Sequence, residues 1–352
     1  MIQQLTVEAI ELLQKLISKQ SFSGEENETA LLIMQWFSDH NIKFESEVHN
    51  VWAKNKYFDA SKKTILLNSH HDTVKPNKGY TRDPLKSEII DGKLFGLGSN
   101  DAGGCLVSLL ATFTYLYDRK DLKYNFVMVA SAEEENTGPN SLVSIIHLLP
   151  EIDFAIVGEP TLMNLAISEK GLMVLNCEAK GTSSHAAHGV GDNAIYNALE
   201  DIHWFKNYEF PKISETLGKV KMTVTQIEAG SQHNVIPASC KFVVDVRVTD
   251  CYTNQEVFEI IEANVTSEVC PRSQRLNSSS IPKEHEIVKA GIKLGRSTYG
   301  SPTISDQAIL TCPSLKLGPG ESLRSHTADE FIYVSEIEEG IELYIKILEE
   351  II

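Results

Sequence analysis

KKTILLNSHHDTVKP, residues 62–76, runs from two lysines through an apolar stretch into a crowd of ionisable groups. The apolar part, KKTILL, reads as a buried strand. His70, His71 and Asp72 then stand side by side where that strand ends. Histidines packed against a carboxylate at a strand end suggest a metal site, or a polar loop opening and nothing more. Alternate residues of an extended segment share a face. His70 and Asp72 therefore point one way and His71 the other. An imidazole that binds a metal usually passes its second N–H to a carboxylate, which sets its tautomer. His70 with Asp72 fits that arrangement; His71 has Thr73 at the matching position. With 11 histidines in the chain, His-x-Asp also arises by chance.

The surrounding pattern places this strand in a layered fold. TALLIMQWFSDHN is a helix, GGCLVSLLATFTYLYD a helix opened by glycines, YNFVMVASAEEE a strand ending in carboxylates, and DFAIVGEP another strand. Strands alternating with helices argue for an α/β layer with a mixed, largely parallel sheet flanked by helices. Ligands of such sheets gather at the carboxyl ends of the strands. The pattern then changes. GLMVLNCEAKG is a strand, GDNAIYNALEDIHWFKN a helix, KVKMTVTQIEAG and SCKFVVDVRVT alternating strands, and NQEVFEIIEANVTSEV a second helix. This β-α-β-β-α order reads as a ferredoxin-like α+β domain. It is expected over 169–284, inserted into a larger domain made of 1–168 and 285–352, with SQRLNSSSIPKEHE as the return linker.

Composition narrows the partners. The chain has 352 residues, 42% apolar and 23% charged, with a formal net charge of -16. That balance argues against nucleic acid or an anionic membrane, which reward cationic surfaces. Six cysteines without a C-x-x-C pair argue against a thiolate zinc site and suggest reduced thiols in the cytoplasm. MIQQLTVEAIELLQKLISKQ is an amphipathic helix, too polar for a signal peptide. No run approaches the ~18 apolar residues of a membrane span.

Four further clusters have both a chemical and a bland reading. GKLFGLGSNDAGG allows a tight backbone around Asp101; it is not a dinucleotide fingerprint, and it also serves as a turn and helix cap. SAEEENTG sets Glu133, Glu134 and Glu135 together, where they repel unless a cation holds them or water solvates the turn. IVGEPT puts Glu159 after a buried strand. SLRSHTADE carries His326 near the C-terminus. Their joint order is harder to dismiss than any one of them.

With HHDTV, DGKLFGLGSNDAGG, SAEEE, VGEPT, GTSSHAAH, NVIP, DVR and SHTADE in this order, the chain resembles the zinc aminoacylase and carboxypeptidase family that includes acetylornithine deacetylase and succinyl-diaminopimelate desuccinylase. The resemblance covers essentially the whole chain. It implies a zinc exopeptidase-like fold and two Zn2+ per chain, with Co2+ or Mn2+ as substitutes. His70 would bind one ion and His326 the other, Asp101 would bridge them, and Glu135 and Glu159 would complete one set each. Glu134 would be the general base and Asp72 the partner of His70. The inserted domain would be a lid that also dimerises, bringing His185 to the partner subunit's metals as an oxyanion donor. The bond from Asp101 to Ala102 would be cis.

The implied reaction is hydrolysis of an N-acyl amino acid, most like acetylornithine deacetylation in arginine biosynthesis. N-acetyl- or N-succinyl-citrulline, succinyl-diaminopimelate and short peptides are the alternative substrates. From another class, a metal-dependent binding protein without activity is the alternative, and the second adjacent glutamate, Glu134, argues against it. A substrate α-carboxylate wants a fixed guanidinium. Arg247 is the first candidate, with Asn234 beside it, then Lys170 and Arg324; an ordinary surface salt bridge is the bland reading for each. The chain departs from the family in two places. Gly103 stands where a lysine is common, an Ala-Gly form that some deacetylases share. HAAHGVGDN, with His188, lacks the usual proline.

Overall fold

All 352 residues are described by a computed structural model of the chain. They divide into two units. The first comprises Met1–Ile167, Ser280–Tyr299 and Ser305–Ile352; the second comprises Ser168–Ser279 and Gly300–Ile304. The division after Ser279 falls inside SQRLNSSSIPKEHE, a few residues before the 284 expected.

The first unit begins with helices α1 (Ile2–Ile17) and α2 (Asn27–Asp39). Its main sheet contains β1 (Phe44–Glu47), β2 (Asn50–Lys54) and β3 (Thr64–His70). A hairpin of β4 (Glu88–Ile90) and β5 (Lys93–Phe95) stands apart from that sheet. Helix α3 (Gly104–Leu116), β6 (Asn125–Ser131), the short α4 (Leu142–Ile145), β7 (Phe154–Val157) and β8 (Leu165–Glu169) follow. The sheet order is β1-β2-β6-β3-β7, then the strand Ser314–Lys316, then β8. β3 pairs in parallel with β6 and β7, and Ser314–Lys316 in parallel with β7. β1, β2 and β8 join antiparallel at the flanks.

Every residue of β3 and of β6 is buried. That is the signature of parallel strands covered on both faces, and it is why KTILL and NFVMVA read as continuous apolar runs. α1 lays Leu5, Ala9, Leu12, Leu13 and Leu16 on one side of the core, and α8 (Val334–Glu349) brings Ile341, Tyr344 and Ile345, after the earlier α7 (Glu286–Lys293). α3 is buried almost all round. Its core residues are costly to truncate: Leu109→Ala or Phe113→Ala falls in the ~2–5 kcal/mol range for buried large-to-small changes. No helix is long and apolar enough to cross a membrane.

The glycines before α3 have a packing reason. A Cβ at Gly103 would lie 2.5 Å from the carbonyl oxygen of Gly98, and one at Gly104 would lie 2.3 Å from Ile332 Cδ1. The departure at Gly103 therefore follows from a backbone that leaves no room for a side chain there. The turn of the β4–β5 hairpin is Asp91-Gly92, both at positive φ, as a tight hairpin turn needs. β5 also pairs with the strand Phe331–Tyr333, which fixes Glu330 beside the segment 96–101.

In the second unit, β9 (Gly171–Lys180) leads through a two-residue strand, β10 (Ser184–His185), to α5 (Ala194–Asn207). β11 (Lys221–Ala229), β12 (Val235–Ile236), β13 (Ser239–Val248), α6 (Asn254–Glu262) and β14 (Glu268–Pro271) complete it. The four-stranded order is β11-β13-β9-β14, and Phe205, Phe242, Val244, Val246, Val257 and Ile261 form the core under the helices. The expected second helix is corrected here. It ends at Glu262 rather than running to Val269, and β14 pairs with β9. Val265 and Thr266 are β-branched and weak in helices. The buried Asp201 carboxylate also accepts the N–H of Thr266 at 3.0 Å and of Ser267 at 2.8 Å, holding that segment out of the helix. The added strand completes a β-α-β-β-α-β unit.

Candidate metal centre

β3 ends on His70, and its two ring nitrogens have different surroundings. Nδ1 lies 2.9 Å from the Asp72 carbonyl oxygen and 3.4 Å from Asp72 Oδ1, so it carries the proton. Nε2 is left facing Asp101 Oδ1 at 3.3 Å and Glu159 Oε1 at 3.9 Å. His71 turns the other way into the core. Its Nε2 is 2.9 Å from the His49 carbonyl oxygen, which can only accept, so Nε2–H donates. Nδ1 then accepts from Thr29 Oγ1 at 2.9 Å. Both nitrogens are used, the ring is neutral, and burial pulls its pKa down to about 4. His71 is a core histidine.

Asp72 does more than face His70. Its carboxylate accepts from Ser23 Oγ at 2.7 Å, from the Glu134 amide at 3.0 Å and from the Glu135 amide at 3.1 Å. It thereby shapes the turn that follows β6. Burial opposes its ionisation, yet His70, Ser23 and the Glu134 amide outweigh burial and hold the carboxyl below its usual range.

Asp101 sits between the two histidines. Oδ1 faces His70, and Oδ2 lies 3.6 Å from His326 Nε2. The bond from Asp101 to Ala102 is cis, as the resemblance implied. His326 Nε2 also lies 3.1 and 3.0 Å from the two Glu135 oxygens. The His326 ring is half-exposed, and its main-chain oxygen accepts from Asn77 Nδ2 at 3.1 Å. Glu159 follows β7 and Gly158, where a Cβ would meet Leu109 at 2.7 Å, so the strand end lies tight on α3. Burial, with the Asp101 charge adding to it, raises the Glu159 carboxyl to about 8. Burial also pushes Glu134 well above the usual range; His70 opposes this, and Glu159, Asp306 and Glu135 add to it.

Two groups of donor atoms emerge: His70, Asp101 and Glu159, and Asp101, Glu135 and His326. Within each, the atoms lie within 4.8 Å of one another. Asp101 belongs to both, and Glu134 to neither. Four carboxylates gathered around two imidazoles repel one another unless positive charge is placed among them. The donors are nitrogen and oxygen only, a set suited to zinc in a site without thiolate. The residues present thus fit a pair of divalent cations.

The remaining candidates carry no donor atom of either group. His185 is on β10, exposed, with Nδ1 accepting the Ala187 amide at 3.2 Å. Asn234 is its neighbour across the β10–β12 ribbon, its carbonyl taking the Ala186 amide at 2.9 Å. Arg247 holds Asp245 through Nε at 2.9 Å and Nη2 at 3.1 Å. Lys170 Nζ donates to the Lys219 carbonyl at 3.1 Å. These four are in the second unit. Arg324, in the first, forks onto Glu336 at 2.7 and 3.0 Å and stacks on Phe331 and Tyr333.

Among the buried carboxylates that the sequence did not single out, Asp306 and Glu330 bond to the segments that carry the donors. Asp306 accepts from Asn68 Nδ2 at 2.8 Å and Ser131 Oγ at 2.6 Å, at the ends of β3 and β6. Glu330 accepts three main-chain amides of the Asp101 segment. Its only signal was its place in SHTADE, ahead of the β-prone FIY.

The chain is similar to known proteins along most of its length. The family model described as peptidase family M20/M25/M40 matches residues 66–350. An acetylornithine deacetylase of Erwinia tasmaniensis is 28% identical over 365 residues, covering 92% of each chain. A [LysW]-lysine/[LysW]-ornithine hydrolase of Saccharolobus solfataricus is 28% identical over 355 residues, covering 97% of this chain and 96% of that one. Among solved structures, the aminopeptidase PepT of Bacillus cereus superposes with a TM-score of 0.77 at 18% identity, over 98% of both chains.

Proposed function

The chain belongs to peptidase family M20/M25/M40 and is a metal-dependent hydrolase, and from that premise we propose that it cleaves the amide bond of an N-acyl amino acid, N-acetylornithine first among them. The observation that carries this reading is the pair of donor groups sharing Asp101, with Glu134 left over beside them. His70, Asp101 and Glu159 would hold one Zn2+, and Asp101, Glu135 and His326 the other. Bound divalent cations supply a water of lowered pKa and polarisation of the substrate carbonyl. Glu134 takes the proton of the attacking water and delivers it to the leaving amine. Asp72 keeps the His70 tautomer and the Glu134–Glu135 turn in place through the bonds described above. Arg247 is the first choice for the substrate α-carboxylate, exchanging Asp245 for it, with Asn234 beside it and Lys170 a weaker choice. Arg324 is a weaker choice, because Glu336 already occupies its fork.

Both relatives are named for chemistry that includes ornithine, at the same 28% identity. That supports ornithine as the amine released and leaves the acyl partner to experiment. Purified protein should be offered acetyl and succinyl forms of ornithine, citrulline and diaminopimelate, alongside dipeptides, with free amine as the readout. Turnover of dipeptides alone would defeat the deacylase reading. Six unpaired cysteines suit the reducing cytoplasm we assign to the protein.

The second unit, in this reading, is a lid through which two copies form a symmetric dimer. β11 is an edge strand, and Ile227 on it, with Tyr196 and Leu199 on α5, exposes apolar surface that a second copy would cover. His185 would then donate a hydrogen bond to the oxyanion formed in the partner's site. Mixing a His185→Ala chain with a Glu134→Ala chain, under conditions that exchange subunits, should restore part of the activity that each has lost. One of the two sites in the mixed dimer then has both an intact base and an intact donor. If both variants stay dead after exchange is verified, His185 does not act in trans.

A further inference from the structure

Glu330 carries no donor atom of either metal group, yet its carboxylate is 2% exposed and fully engaged. Oε1 accepts the amide of Asn100 at 2.8 Å and that of Asp101 at 2.9 Å. Oε2 accepts the amide of Gly98 at 3.1 Å. The Glu330 carbonyl takes the amide of Gly96 at 3.0 Å. Four N–H groups of the segment 96–101 thus end on this one residue, in a stretch where Gly96 and Gly98 have positive φ and leave the usual ladders. Buried amides need acceptors, and a carboxylate accepting several at once is the strong form of that bond. Glu330 is also four residues from His326, on the same loop. Its neighbour Asp329 ties that loop to Thr81 and Arg82 through bonds of 2.9 and 3.0 Å to their amides.

The donors Asp101 and His326 come from segments far apart in the chain. Asn100 and Glu321 join them by two bonds of 3.1 and 3.0 Å, and the Glu330 carboxylate joins them by three more, one of which ends on the Asp101 amide itself. We infer that Glu330 is a positioning residue for the metal centre: it fixes the main chain of Asp101 against the His326 loop and so sets the spacing on which metal affinity depends. The inference rests on the two-cation reading above. Glutamine at this position can still accept at one oxygen but turns an NH2 donor toward a second amide, so the substitution misaligns the segment without emptying the space.

The experiment compares chelator-stripped wild type and Glu330→Gln, each titrated with Co2+ by calorimetry and by visible absorption, with melting curves before and after loading. Loss of a group that orients metal ligands typically weakens metal affinity ~10–100-fold. The expected result is a loss of that size, a changed Co2+ spectrum, a smaller rise in melting temperature on loading, and recovery of turnover as Co2+ is raised. Equal Co2+ affinity in the two proteins overturns the inference and leaves the functional reading standing. Failure of the wild type to bind Co2+ overturns the functional reading, and this inference with it. A variant that does not fold, or that loses as much melting temperature stripped as loaded, makes Glu330 a residue of the fold and also overturns the inference.

Discussion

Glu134→Gln should keep the fold and the metal content of the protein and lose turnover by ~10²–10⁴-fold, the usual weight of a positioned acid–base group. The expectation follows from where Glu134 stands. It is half-buried beside the other carboxylates but belongs to neither donor group, while Glu135 next to it reaches His326 at 3.0 Å. Both amides are pinned by Asp72, so replacing either side chain leaves the turn in place. Glutamine matches glutamate in shape but cannot take a proton from water at neutral pH. Glu135→Gln should do the opposite and lower metal content in proportion to activity. The measurement is elemental analysis beside a turnover assay, reported as rate per bound ion. If Glu134→Gln loses metal and keeps its rate per ion, the two glutamates have each other's roles.

Three of the candidate donors stood out in the sequence because each closely follows a continuous apolar run; the pairing of all five as a donor set came from the family resemblance, and Asp101 and His326 follow no such run. β3, β6 and β7 are buried on both faces, so their runs are unmistakable, and His70, Glu135 and Glu159 follow within a few residues of their ends. The choice of His70 over His71 was legible for the same reason, since alternation in an extended segment decides which ring faces Asp72. What the sequence could not show is what holds these groups still. Asp306 reaches Asn68 across 238 positions, and Glu330 reaches Asn100 across 230. Neither has local periodicity to betray it; each is a lone acid in a loop until the fold brings a distant segment to it. β14 was hidden differently. Its four residues follow a true helix, and only Asp201, sixty-five positions upstream of Thr266, shows why the helix stops. Arg324 was a weaker candidate for the substrate carboxylate, with an ordinary salt bridge as the other reading, and the partner that supplies that bridge, Glu336, lies twelve residues ahead, in the first turn of α8.

Asp101→Ala should have the broadest effect of any single change at the centre, because Asp101 alone belongs to both donor groups. Its two oxygens face different histidines, Oδ1 toward His70 at 3.3 Å and Oδ2 toward His326 at 3.6 Å. Removing it takes a ligand from each cation and the shared charge from between them. Metal content after chelation, reloading and gel filtration should fall for both ions together, and hydrolysis should drop to the background of the assay. His326→Ala is the contrast. His70, Asp101 and Glu159 remain, so part of the metal should stay bound. The stripped Asp101→Ala protein should melt no lower than stripped wild type. Without cations the cluster is held together against carboxylate repulsion, and deleting one carboxylate relieves part of it. The direction of that comparison separates a ligand from a residue of the fold, since loss of a structural Asp101 would lower both melting curves alike. An Asp101→Ala protein that retains its full metal complement after reloading would refute the shared-ligand arrangement and, with it, the division of labour drawn from it for His70, Glu135, Glu159 and His326.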